Sequence, residues 1–147
     1  MPSLARNFKE VHSIDLDTRA LKYVKDSFHL NNVNIAESTS EKLPYPDEYF
    51  DLIFAADVLE HFRNSFNIQK EFKRVLKKNG YLIISGPTEN LLYQLARKFL
   101  YKRKKPKDHF TDVFQVMDNS KKLFKIDKIE TLPIRAIPGF KIYLAKK

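Results

Sequence analysis

The stretch DLIFAA, residues Asp51–Ala56, is apolar from its second residue onward and does not alternate with polar residues. This pattern is typical of a strand buried on both faces, as in a parallel sheet covered by helices. Tyr81–Ser85 predicts a second strand of the same kind, closed by Gly86-Pro87. Helical sequence follows the first strand from Val58, with a break near Asn64. Strand and helix therefore alternate, which indicates an α/β fold.

The same alternation continues outward along the chain. Upstream, strands are predicted at Val11–Leu16 and Val33–Ala36, with a helix between them that Asp17 is placed to cap. Downstream, the predicted elements are a helix ending in the Lys77–Gly80 turn, a long helix over residues 88–104, a helix over 112–124, and strands at 125–131 and 140–145. No internal repeat or low-complexity linker interrupts this pattern, so a single domain over residues 1–147 is predicted.

Glycine placement limits the kind of ligand loop that these residues contain. The three glycines are Gly80, Gly86 and Gly139, and none lies in the first half of the 147 residues. Loops that cradle a phosphate or a dinucleotide need glycine where the backbone adopts positive φ or approaches the ligand closely. A Walker-type or Gly-x-Gly-x-x-Gly loop is therefore excluded from that half.

Composition narrows the class of protein. The chain has no cysteine, which excludes disulfides, thiolate metal sites and cysteine nucleophiles. No apolar run reaches the roughly 20 residues that span a bilayer, and no signal-peptide pattern follows Met1. A cytoplasmic protein is expected.

The formal net charge of +9 is concentrated in one segment. Seven lysines and arginines and no acid lie between Arg97 and Lys107. This basic segment, Arg97–Lys107, is expected either to form a solvated surface or to bind an anionic membrane or RNA.

Three motifs, in order along the chain, resemble one enzyme family. Leu43–Asp51, read as LPYPDEYFD, is similar to the Leu-Pro-Phe-Pro-Asp-x-x-Phe-Asp signature of small-molecule S-adenosylmethionine-dependent methyltransferases. Val58–Phe62 (VLEHF) and Arg74–Gly80 (RVLKKNG) continue the similarity. Lys78 and Asn79 replace the family's usual proline and glycine.

The resemblance implies a Rossmann-like methyltransferase fold, with a mostly parallel sheet and helices on both faces. It also implies S-adenosylmethionine as cofactor and methyl transfer to a small-molecule or lipid-like acceptor.

The same resemblance suggests which residues bind the cofactor. The predicted strand Val11–Leu16 is similar to the family's second strand, which ends in an acid that accepts hydrogen bonds from the ribose hydroxyls, and Asp15 is the matching acid. Leu16 is then placed to pack on the adenine. The alternative is that Asp15 caps the following helix. Thr39 and Ser40 stand where the family often has an acid that reaches the adenine amino group. Ala56 either lies beside the methionine part of the cofactor or simply packs in its strand.

Asp57, Glu60 and His61 place two acids and an imidazole near one predicted helix start. Such a group is able to bind a divalent cation or supply a general base. The competing interpretation is that Asp57 caps the helix, where an acid is favourable. We predict no metal site and assign no catalytic residue. By resemblance, His61 faces the active-site mouth and touches the acceptor.

In the family that the chain resembles, a first strand and a glycine-rich loop precede the matching part. Residues 1–147 are therefore expected to be an N-terminally incomplete, truncated methyltransferase that binds the cofactor weakly. The strands at Val11–Leu16 and Asp51–Ala56 would then either pair directly or accept a strand from another chain, giving a homo-oligomer. Residues 88–124 are expected to cover the substrate. The alternatives are an RNA methyltransferase and a non-catalytic interaction subunit that keeps the fold.

Overall fold

A computed structural model of the chain describes residues 1–88, 110–134 and 137–147. These residues divide into two compact units, Met1–Pro44 and Tyr45–Lys147. The single domain expected over the whole chain stays a prediction. The predicted long helix beyond Thr88 and the basic segment Arg97–Lys107 lie outside the described residues. Within the described ranges, no helix is both long enough and apolar enough to cross a bilayer.

The first unit is a two-stranded parallel sheet with two helices. Its strands are in register along their length, so Val11 lies beside Val33 at one end and Asp15 lies beside Glu37 at the other. Both valines are buried. The elements of this unit are helix α1 (Pro2–Asn7), strand β1 (Val11–Asp15), helix α2 (Arg19–Ser27) and strand β2 (Val33–Glu37).

The second unit is built on a four-stranded sheet in the order β3-β4-β6-β5. Strands β3 and β4 are parallel, and β6 runs antiparallel to both β4 and β5. The elements are β3 (Phe50–Ala56), a short 3₁₀ helix (Leu59–His61), α3 (Ser65–Val75), β4 (Leu76–Pro87), α4 (Val113–Lys121), β5 (Lys125–Ile134) and β6 (Ile137–Lys146). The predicted α/β class is confirmed, with parallel pairing in both units and an antiparallel C-terminal hairpin.

The direct pairing of the strands at 11–16 and 51–56, one of the two outcomes expected from the sequence, is wrong for the described residues. Strands β1 and β3 lie in different sheets. Each pairs instead with the next strand along the chain, because a short helical crossover brings consecutive parallel strands together. The other outcome, a strand accepted from another chain, stays a prediction.

The predicted break in the helix near Asn64 is confirmed. Asn64 is the N-cap of α3, and its side-chain oxygen accepts a hydrogen bond from the backbone N–H of Asn67. An asparagine at this position satisfies one of the backbone donors that a helix start leaves unpaired. The chain therefore forms a 3₁₀ turn at Leu59–His61 before the α-helix begins.

The end of α3 differs from the prediction. The helix stops at Val75, and Leu76 already belongs to β4. Leu76 pairs with Phe50, but the next aligned pair is Leu52 with Tyr81, so the intervening residues form an irregular bulge. The left-handed residue of this bulge is Asn79, with φ of 63°.

Gly80 is required in this bulge for a steric reason. A Cβ atom at this position would lie 2.9 Å from the backbone oxygen of Lys77 and 3.2 Å from that of Asp51. Since both neighbours are backbone atoms, a side chain would force the strand apart. Close approach of the backbone, rather than a positive φ, therefore accounts for the glycine.

A buried group of polar side chains joins α3, α4 and β6. Ser120 Oγ lies 2.6 Å from Gln69 Oε1 and 3.0 Å from Tyr143 Oη. The Gln69 amide donates to the Val116 carbonyl at 3.2 Å. Burial raises the pKa of Tyr143, although the hydrogen bond with Ser120 opposes that shift, so the phenol stays protonated near neutral pH. These polar atoms are buried with partners, and the network joins elements distant in sequence.

Ser120→Ala is expected to lower the free energy of unfolding by about 1–3 kcal/mol. The substitution removes a buried hydroxyl that Gln69 and Tyr143 share, which leaves their polar groups without this partner. Urea unfolding measures the change. Ser27→Ala is the control, because Ser27 is an exposed residue at the end of α2, where about 0.5 kcal/mol or less is expected. Equal effects of the two substitutions would contradict the prediction.

Arg74 links α3 to the loop that precedes β3. Its guanidinium bonds both carboxylate oxygens of Glu71, at 2.9 and 2.6 Å, on its own helix. It also donates to the Tyr45 carbonyl at 2.9 Å and to the Asp47 carboxylate at 2.7 Å. Hydrogen bonds to Glu71 and then Asp47 raise the pKa of Arg74 above its ordinary value. Arg74 and the Tyr45–Asp47 loop come from two of the motifs quoted above, so this contact joins those two motifs in the structure.

Arg74→Lys is expected to lower the urea midpoint of unfolding. Lysine keeps the charge but lacks the planar guanidinium group. That group makes two hydrogen bonds to Glu71 and at the same time reaches the Tyr45–Asp47 loop. Arg19→Lys is the matched control, since Arg19 also pairs with a neighbouring carboxylate, Asp17, but is 89% exposed against 33% for Arg74. Indistinguishable midpoints for the two variants would show that the Arg74 fork does not hold the loop.

Candidate functional site

The carboxyl ends of β1 and β2 form one edge of the first unit. Asp15 ends β1 beside Glu37, which ends β2, and the Ser38 N–H donates to the Asp15 carbonyl at 3.3 Å. Leu16 follows directly and is 68% exposed. An acid and an exposed aliphatic side chain therefore stand side by side at this edge.

Asp15 does not cap helix α2. One of its carboxylate oxygens, Oδ1, accepts a hydrogen bond from the Asp17 N–H at 3.0 Å, which closes the turn after β1. Thr18 is the N-cap residue but makes no side-chain cap bond. Asp17, the expected cap, lies one residue earlier and accepts a bond from the N–H of Arg19, the first helical residue. Asp17 thus accepts from the helix start although it lies before the N-cap. The other carboxylate oxygen of Asp15, Oδ2, makes no hydrogen bond to any residue that the structure describes.

Thr39 and Ser40 follow β2 by two and three residues, and so they come after the same edge. Thr39 is exposed and Ser40 is half-buried. The loop at this point is shaped by Ser38, whose hydroxyl lies 3.3 Å from the Thr39 carbonyl and 3.2 Å from the Lys42 carbonyl. The Thr39 and Ser40 side chains are therefore not the groups that hold the loop.

Glu37 is a residue that the sequence interpretation missed. It is exposed and lies directly beside Asp15 in the sheet. The predicted strand ended at Ala36, one residue short, so Glu37 was placed in the following loop. The signal that could have found it is the parallel register, since equal strand lengths bring the two terminal acids together.

In the second unit, Ala56 ends β3 beside Ser85 of β4. Asp57 then adopts a left-handed conformation, with φ of 52°, and its N–H donates to the Ser85 carbonyl at 3.2 Å. A non-glycine residue in this region is uncommon, and such conformations concentrate at functional sites. The turn directs the chain from the end of β3 into the 3₁₀ helix.

The acid and the imidazole of the 3₁₀ helix differ in solvent exposure. Glu60 is buried, with its carboxylate beside Gly86, whereas His61 is exposed. The Glu60 carbonyl accepts hydrogen bonds from the N–H groups of Phe110 at 2.8 Å and Thr111 at 3.3 Å. His61 is therefore held on a turn that is fastened to the chain entering α4.

The predicted site residues fall into two sets. Asp15, Leu16, Thr39 and Ser40 belong to the first unit, where the first two lie at one edge and the other two follow it. Ala56 and His61 belong to the second unit, where Ala56 ends β3 and His61 comes five residues later. In the described ranges, no three histidines, aspartates or glutamates are grouped so that they could hold a metal ion.

The edge at Asp15 suits the adenosine part of S-adenosylmethionine. Ribose hydroxyls need an acceptor, and the second carboxylate oxygen of Asp15 offers one. Adenine needs an apolar surface, which the exposed Leu16 provides. The residues present at this edge therefore fit the nucleoside end of the cofactor.

Comparison with known sequences identifies relatives of the N-terminal part. A family model described as "Methyltransferase domain" matches residues 1–84, more than half of the chain. The 2-methyl-6-phytyl-1,4-hydroquinone methyltransferase 1 of Oryza sativa is 33% identical over 91 residues, which are 62% of this chain and 27% of that protein. The ubiquinone/menaquinone biosynthesis C-methyltransferase of Pseudomonas aeruginosa is 32% identical over 90 residues, 56% of this chain and 35% of that protein. The chain thus spans about a third or less of these relatives.

Solved structures share the fold. The N-methyltransferase NodS of Bradyrhizobium japonicum, in complex with S-adenosylhomocysteine, has a TM-score of 0.76 and 15% identity, covering 99% of this chain and 70% of that one. The cyclase SpnF has a TM-score of 0.78 and 15% identity, covering 99% of this chain and 69% of that one. At these identities the likeness shows the fold alone.

Asp15→Asn is expected to weaken binding of S-adenosylhomocysteine about tenfold or more, because a charge-assisted acceptor becomes a neutral one. The amide oxygen still accepts from Asp17, so the turn is kept. Titration calorimetry on the 147-residue chain, at protein concentrations high enough to detect weak binding, measures the affinity. Asp17→Asn, in the same turn, is the control and should leave the affinity unchanged. Unchanged affinity in Asp15→Asn would assign Asp15 to the turn instead.

Proposed function

Because this chain belongs to the S-adenosylmethionine-dependent methyltransferases of the methyltransferase-domain family, we propose that it transfers a methyl group to a small-molecule acceptor. The match over residues 1–84 carries the proposal, since it includes the edge at Asp15 and the signature motifs. S-adenosylmethionine is the cofactor of the family, as the sequence motifs predicted.

The acceptor that we propose is a lipid-like quinol, methylated on a ring carbon. Two curated relatives support this choice, since their names give a phytyl hydroquinone and the ubiquinone/menaquinone pathway. The fold by itself does not select the reaction, because a cyclase shares it. The sequence likeness therefore carries more weight here than the structural likeness.

The resemblance to the family suggests a role for each predicted residue, taken within its own unit. Asp15 accepts from the ribose hydroxyls, Leu16 packs on the adenine, and Thr39 and Ser40 face the adenine edge. Ala56 leaves room for the methionine part. We expect weak cofactor affinity for residues 1–147 alone, because their first half has no glycine to allow close approach of the backbone.

The transfer requires alignment and exclusion of water more than it requires a protein nucleophile. When bound, S-adenosylmethionine would supply an activated methyl group on its sulfonium, and the acceptor that receives this methyl group would release a proton. His61, exposed after the turn at Asp57, is proposed to contact the acceptor. The hydrogen bonds that the Glu60 carbonyl accepts would hold the turn that carries His61 in place.

Residues 88–124 are proposed to cover the substrate, and the structure describes Thr88 and the part from Phe110 onward. Thr88 directly follows β4 and bonds to the Gly139 carbonyl through its N–H, while the Phe110 N–H donates to Glu60. Both ends of the stretch between Thr88 and Phe110 thus lie near the carboxyl ends of β3 and β4. The basic segment within it, Arg97–Lys107, is proposed to bind an anionic membrane surface, which suits a lipid-like acceptor.

A cytoplasmic location and a homo-oligomeric state stay proposals as well.

The acceptor class is tested with labelled S-adenosylmethionine in excess. A prenylated hydroquinone that lacks one ring methyl is expected to be labelled at least about tenfold faster than RNA, because a quinol ring carbon is the nucleophile that the relatives' names indicate. Thin-layer separation of the extracted lipid measures the product. Labelling of RNA alone would favour an RNA methyltransferase. Labelling of neither, with cofactor binding absent, would favour a non-catalytic subunit.

The same assay on His61→Gln checks the placement of the acceptor. A lower rate than in His29→Gln is expected, because both histidines are exposed but His29 follows α2 in the other unit. Equal rates would remove His61 from the proposed site.

A further inference from the structure

Strand β5 leaves one long edge of the four-stranded sheet open. It is the last strand in the sheet order and pairs with β6 on one side. No strand lies along its other side in the part of the chain that the structure describes. An open edge presents backbone donors and acceptors that another strand is able to pair with.

The side chains near the middle of β5 are exposed and carry opposite charges on either side of an aliphatic residue. Lys128 and Glu130 flank Ile129, and their side chains are 68% and 57% exposed. They lie two residues apart, on one face of the strand, and form an ion pair of 2.9 Å. Ile129 and Leu132 are 38% and 51% exposed.

We propose that this edge pairs with the same edge of a second copy of the chain, antiparallel, about a two-fold axis at Ile129. In that register Lys128 of each copy lies opposite Glu130 of the other, so two ion pairs form across the contact. A register centred on Lys128 or on Glu130 would place like charges opposite each other, which destabilises a strand pair. The charge pattern therefore selects one register over its neighbours. This inference does not depend on the proposed methyl transfer.

The geometry of β5 limits the contact to a short one. Its pairing with β6 shifts between Ile126 and Lys128 and again between Leu132 and Pro133. Only the stretch Lys128–Leu132 is regular, because a bulge bends the strand on either side. Two four-stranded sheets would join into one continuous sheet through few residues, so the dimer is weak and depends on protein concentration.

Charge-swap variants test the register. Sedimentation equilibrium of the 147-residue chain at low salt, over a concentration series, is expected to show mass rising from monomer toward dimer. Lys128→Glu or Glu130→Lys alone sets like charges opposite across the axis and is expected to raise the dissociation constant about tenfold. The double variant restores opposite charges and should dimerise like the wild type. An equimolar mixture of the two single variants should also dimerise, as a heterodimer.

A cysteine pair gives a second readout, since the chain has no cysteine of its own. Ile129→Cys, at the axis, should oxidise to a disulfide-linked dimer. Leu132→Cys is the control, because it is more exposed but would face residue 126 of the second copy rather than its own equivalent. Three results would each overturn the proposal: a wild type that is monomeric throughout, a double variant no better than the single ones, or equally fast cross-linking at both cysteines.

Discussion

In the Tyr45–Lys147 unit, Arg74 holds the loop ahead of β3 against the end of α3, at the place where the two parallel strands begin. The guanidinium bonds Glu71 on its own helix and the Tyr45 and Asp47 oxygens in the loop. Backbone bonds from the loop to the Arg74 and Val75 carbonyls add to this contact. Because α3 leads directly into β4, the contact places the start of β3 beside the start of β4. Their parallel pairing follows from that placement.

Parallel pairing has the same consequence in both units. In-register strands end at the same edge, so Asp15 meets Glu37 in the first unit and Ala56 meets Ser85 in the second. The carboxyl-terminal edge of an open α/β sheet is where ligands bind in such folds. Of the residues assigned to cofactor and acceptor, Asp15 and Ala56 end such strands and the others come after them in the chain.

Local patterns predicted the elements well where one residue type dominates the local energy. The helix breaks near Asn64 as predicted, and the reason is that the Asn64 side-chain oxygen caps α3 by accepting from a free helix N–H. Asp17 was predicted to be the N-cap of the helix after β1, but the N-cap residue is Thr18, one residue later. Asp17 still accepts a hydrogen bond from the N–H of the first helical residue, Arg19. The sequence of Lys77–Gly80 predicted a helix end, with basic residues in the last turn and a glycine just beyond it. In the structure, Asn79 is the left-handed residue, and Gly80 is needed because two backbone oxygens approach it.

The sequence by itself determined the α/β alternation, the signature motifs with their family, and the residues placed at the strand ends. Hydrophobic periodicity and turn residues are local properties, so they can be recognised in the sequence alone. The tertiary structure alone decided that β6 runs antiparallel between β4 and β5, and that Glu37 stands beside Asp15. It also decided that Ser120 meets a glutamine and a tyrosine far from it in the chain. These features are contacts between residues distant in sequence, and no local pattern specifies which distant groups will meet.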